Sequence, residues 1–89
     1  MAEIKVEKIN GWKFKVEVEE GGSKTTHRVT VAPDFAAKLS LPPEEVVKKS
    51  FEFLLAREPK ESILSSFSIP DTINQYFPDF EAKIIGGGE

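Results

Sequence analysis

An α+β fold is predicted by three features of the chain. Its opening stretch alternates apolar and charged residues in three runs separated by glycine-containing turns. Its middle holds a long run of helical periodicity bounded by prolines, and its last third breaks into short apolar clusters. Period two marks half-buried strands, and recurrence at three and four residues marks an amphipathic helix. The expected architecture is a three-stranded antiparallel β-meander, residues 2–8, 12–19 and 24–31, packed on a main helix over 43–58. Short helices are expected over 60–67, 69–77 and 78–84. One domain over 1–85 accommodates all of these, leaving 86–89 as a disordered glycine-rich tail.

The first strand sets Ile4 and Val6 against Glu3, Lys5 and Glu7, and the second sets Trp12, Phe14, Val16 and Val18 against Lys13, Lys15, Glu17 and Glu19. A two-residue turn at Asn10-Gly11 would place the two apolar sets on opposite faces, because a one-residue slip turns a strand over. A three-residue loop, Ile9-Asn10-Gly11, pairs Val6 with Phe14 and Ile4 with Val16 and gives Gly11 the left-handed position of a bulged turn. A competing register opposes Glu7 to Lys15 and Lys5 to Glu17, with cross-strand charge pairs each contributing about 0.2–1 kcal/mol. Gly21-Gly22 suits a two-residue hairpin into the third strand, where His27, Val29 and Val31 share the dry face.

Residues 33–41 allow a short helical turn with Phe35 and Leu39 facing inward. In the main helix Pro43 suits the first turn, where its missing N–H would go unpaired. Glu44 and Glu45 sit at the positive end of the helix dipole, and Pro59 ends the run. Val47, Phe51 and Leu54 make its apolar stripe, with Phe53 at the edge. Beyond it, Ile63, Leu64 and Phe67 stand at helical spacing, Ser68 and Asp71 have the spacing of a capping box, and Ile73, Tyr76 and Phe77 form one apolar side. Phe80 and Ile84, four apart, suit one more turn.

With 89 residues and 39% hydrophobic content the chain supports one modest core. It has no cysteine, which excludes disulfides, thiolate metal sites and cysteine nucleophiles. The net charge of −3, with both signs interspersed, disfavours nucleic acid, whose binding rests on clustered Lys and Arg. By parity the polar sheet face carries no aromatic on which a base could stack. No apolar run approaches the ~20 residues that cross a bilayer, and the first residues lack a signal-peptide apolar segment. A cytoplasmic setting is therefore expected, with no membrane partner.

His27 is the single histidine. No adjacent carboxylate equips it for acid–base work, and a metal needs further ligands. A structural role is expected for it, and neither catalytic, cofactor-binding nor metal residues are expected elsewhere. The aromatics gather after the third strand: Phe35, Phe51, Phe53, Phe67, Tyr76, Phe77 and Phe80. Most are expected to complete the core. Any that stay exposed would form a docking patch, for which Phe53, Tyr76 and Phe80 are the partner-binding candidates.

Two stretches, Phe53-Leu54-Leu55-Ala56-Arg57-Glu58-Pro59-Lys60-Glu61-Ser62-Ile63-Leu64-Ser65-Ser66-Phe67 and Tyr76-Phe77-Pro78-Asp79-Phe80-Glu81, resemble a group of short uncharacterised prokaryotic proteins. That resemblance implies a prokaryotic, cytoplasmic, stand-alone domain and carries over no catalytic residues. The strand–strand–strand–helix order, with Glu44-Glu45-Val46 opening the helix, also resembles HicB-type antitoxins at the level of fold. The expected function is a small non-catalytic protein-interaction module whose partner is another protein. The alternatives are an antitoxin-like or inhibitory partner and a small ligand-binding domain or enzyme using His27.

Overall fold

Eight residues of alternating character, Glu3–Asn10, form β1, followed by β2 (Lys13–Glu20) and β3 (Ser23–Val31). The computed structural model describes residues 3–86. The expected first strand residue Ala2 and the tail at 87–89 lie outside the described residues, and Gly86 closes the last helix. After the meander come α1 (Pro33–Leu39), α2 (Pro43–Leu55), a 3₁₀ turn (Lys60–Ser62), β4 (Ser66–Ile69), α3 (Asp71–Tyr76) and α4 (Phe80–Gly86).

The sheet has four strands in the order β1-β2-β3-β4, with β4 parallel to β3. This corrects the expected three-stranded meander and the expected helix over 60–67. Ile63, Leu64 and Phe67 fit a helical spacing, but Phe67 and Ile69 also fit period two, and they are the two buried residues of the strand. Ser65, Ser66 and Ser68 favour a helix weakly. Pro70 pushes Ile69 out of the α region, and β3 offers an open ladder edge. Arg28 N–H donates to the Ser65 carbonyl at 2.8 Å and Ala32 N–H to the Ile69 carbonyl at 2.9 Å. In place of the Ser68 capping box, the Ser68 N–H donates to Thr72 Oγ1 at 3.2 Å. A strand thus follows the main helix where only short helices are expected.

The first hairpin takes the competing register. Ile4 pairs with Val18, Val6 with Val16, Lys5 with Glu17 and Glu7 with Lys15. Both registers keep the apolar residues on one face, so parity does not choose between them. The observed one sets residues of opposite charge across from each other, Lys5 from Glu17 and Glu7 from Lys15, and a bulge between Lys8 and Asn10 absorbs the extra residue. Gly11, at φ +25°, and Trp12 make the turn. Ile9 and Trp12 are thereby left at the surface. The second hairpin has the expected two-residue turn, Glu20 pairing with Ser23.

The main helix is three residues shorter than its expected span of 43–58, ending at Leu55. Glu58 N–H still returns to the Leu54 carbonyl at 2.9 Å, so the chain turns once more before Pro59. Its inward face (Val46, Val47, Phe51 and Leu54) joins Phe14, Val16 and Val18 of β2 and Val29 and Val31 of β3 in one core. Full burial of each such side chain stabilises by roughly 1.5–3 kcal/mol. Ser50, also buried, returns its hydroxyl to the Val46 carbonyl at 2.7 Å, which leaves no unpaired polar atom there. The later helices close the far end: Phe80 stacks 5.0 Å from Phe53 and 5.8 Å from Phe35.

Candidate interaction groove

The segment between α2 and β4 is bound to the sheet at both ends. At its start the Lys60 side chain lies buried across the β2–β3 turn, where its ammonium donates to Ser23 Oγ and to Glu61 Oε2, each at 2.6 Å. The Lys60 hydrogen bond holds the Glu61 carboxyl below its ordinary pKa. Further along, His27 reaches from mid-β3. Its Nδ1 lies 2.7 Å from the Leu64 carbonyl and its Nε2 2.8 Å from Thr25 Oγ1. A carbonyl can only accept, so Nδ1 carries the proton and donates to Leu64. In the neutral ring Nε2 then accepts from the Thr25 hydroxyl. The ring is 2% exposed and packs 5.3 Å from Phe51. No lone pair or proton of His27 is turned to solvent.

Held in this way, the segment forms one wall of a groove of about 320 Å³. Leu54 at the end of α2, Ile63, Phe67 of β4 and Ile73 of α3 make its buried floor. Leu64, 46% exposed, and Tyr76, 64% exposed, stand at its edge. Glu58 is the single charged residue of the lining, beside the hydroxyls of Ser62 and Thr72. The volume lies at the lower end of the ~300–1,000 Å³ usual for ligand sites, and such sites are mostly apolar with a few fixed polar groups. The far wall is braced from behind. Asn74 of α3 donates to Glu81 Oε2 at 2.9 Å, and Lys38 of α1 reaches Glu81 Oε1 at 3.1 Å. Both contacts, Asn74 first, hold the Glu81 carboxyl below its ordinary pKa.

The three partner-binding candidates separate. Tyr76 lies at the edge of the groove and is open to water. Phe53 and Phe80 are buried against each other edge to face. Phe77 closes a second side of Phe53 at 5.8 Å, and the Arg57 guanidinium covers its ring at 3.7 Å. Sequence reasoning did not single out Leu64, Ile63, Phe67 or Ile73 as a groove, because at helical spacing they read as one more core-facing helix. Among the described residues no three His, Asp or Glu side chains converge as a metal site. No helix of the described chain is long and apolar enough to cross a membrane. No family model matches the sequence, and neither a curated protein nor a solved structure is significantly similar to it.

Proposed function

We propose that this protein is a small non-catalytic interaction module that seats a short segment of another protein in the groove between α2, the Ile63-Leu64 segment and α3. The observation that carries this reading is the exposure of Leu64 and Tyr76 over an apolar floor whose walls are held from behind by hydrogen bonds. Among the described residues they are the two exposed large apolar side chains of the second half. Exposed apolar surface rimmed by polar groups is characteristic of protein contacts. A wall fixed before binding spares the ordering cost that weakens association. The volume suits one or two apolar side chains, and Glu58 at the lining suits a Lys or Arg beside them. The prokaryotic cytosolic setting belongs to the same reading and rests on the sequence resemblance.

The test is selection from a displayed peptide library on the immobilised domain, followed by affinity measurement on Leu64→Ser and Tyr76→Ser variants. The selected peptides are expected to carry a large apolar residue next to a basic one. Each substitution is expected to weaken them about tenfold, the equivalent of 1.4 kcal/mol. Peptides that bind both variants as tightly as the parent would place recognition elsewhere and overturn the reading.

A further inference from the structure

The outer edge of β1 is unpaired among the described residues, since β2 is its one strand neighbour. The ladder phase fixes which of its groups are free. Val31 N–H donates to the Trp12 carbonyl, and Trp12 therefore points its backbone toward β3. Alternation along β2 then directs Phe14, Val16 and Val18 to β3, and Lys15, Glu17 and Glu19 to β1. Their partners Glu7, Lys5 and Glu3 bond inward, which leaves the N–H and C=O groups of Ile4, Val6 and Lys8 aimed outward from the sheet.

The geometry points to a second copy of this chain as the occupant of that edge, paired antiparallel about a two-fold axis at Val6. Only outward groups bond across such an axis, so Val6 meets the partner's Val6 and Ile4 meets the partner's Lys8. Lys5 then lies opposite the partner's Glu7, and Glu7 opposite the partner's Lys5. Shifting the axis to Lys5 opposes lysine to lysine, and shifting it to Glu7 opposes glutamate to glutamate. An axis at Ile4 again matches charges but overlaps a much shorter stretch. Charge complementarity thus selects the one register that also uses most of the strand. Neither Lys5 nor Glu7 is held in an ion pair among the described residues, although Lys15 and Lys24 both approach Glu17. On the other face Ile4 and Val6 are only partly buried, and a partner strand would extend their cover. An unpaired strand edge is a template for further pairing, and the charges along β1 restrict which pairing it accepts. A closed two-fold pair satisfies it without leaving a propagating end at β1.

Sedimentation equilibrium over a wide concentration range tests this with the intact chain. The parent protein is expected to pass from monomer to dimer as concentration rises. Lys5→Glu alone and Glu7→Lys alone should each remain monomeric, because each opposes like charges across the axis. An equimolar mixture of the two variants should dimerise again, because their charges then match in both pairs. A parent that stays monomeric throughout, or a mixture that fails to recover the dimer, would overturn the proposal. If either variant fails to fold, amide exchange on the parent decides. The outward amides of Ile4, Val6 and Lys8 should become protected as concentration rises, and exchange that ignores concentration would refute the pairing.

Discussion

His27 shows how a residue type that suggests chemistry can serve as a bracket. It connects the sheet to Leu64 at 2.7 Å and does so from inside the core. Removing it leaves the Leu64 carbonyl and the Thr25 hydroxyl without their partner and opens a void beside Phe51. The expected loss for His27→Ala is about 2–4 kcal/mol. For a domain of this size that lowers Tm by more than about 8 °C, measurable by thermal denaturation. A change within about 0.5 kcal/mol would mark an ordinary surface site.

The Lys60–Glu61 contact gives a prediction in pH. The folded state depresses the Glu61 pKa from 4.5, so its contribution is present above that value and fades as pH falls through the folded value. Glu61→Gln should therefore cost stability near neutral pH and little under acid conditions. Melting curves across the acid range would show the gap closing downward. Because Glu61 is exposed, the gap is small.

At the scale of elements, the fourth strand distinguishes this fold from a plain meander. In a three-stranded sheet β3 would be an edge, and the amides of Arg28 and Ala32 would exchange freely. Here they donate to Ser65 and Ile69. Hydrogen exchange on the dilute, monomeric chain should find both protected well beyond the outward amides of β1. Rapid exchange at both would return the segment 66–69 to a helix or loop.

The contrast between the two halves of the chain has a physical origin. Alternation over eight residues, as in Lys13–Glu20, specifies a strand and its dry face without knowledge of a partner. Thirteen residues starting at Pro43 specify a helix in the same way. Four residues, Ser66–Ile69, carry too little periodicity to decide, and their partner strand lies far back in the sequence. The register of the first hairpin was ambiguous for a related reason: both alignments preserve the apolar face, and only the charge pairs and the bulge differ.

For the whole molecule, the core consists of the sheet face, α2 and the aromatics that close its end, and the groove lies where that closure is incomplete. The sequence offers Phe53, Tyr76 and Phe80 together as residues for a docking patch, with Phe53 foremost as the edge of the helix stripe, and of the three only Tyr76 stays outside. Phe53 and Phe80 could not be told apart from it, because their burial depends on each other and on Phe77, contacts made only when α3 and α4 fold back. Leu64 carried no local signal, since its exposure follows from the strand that begins after it and the histidine that fixes its carbonyl.

The most direct measurement of the central claim is a ¹H–¹⁵N NMR titration of the domain with a peptide selected on it. Saturable shift changes are expected at Leu64, Thr72, Ile73 and Tyr76, with the exposed polar sheet face silent. Changes centred on that face, or saturable binding that leaves these four residues unmoved, would contradict the assignment of the groove as the docking site.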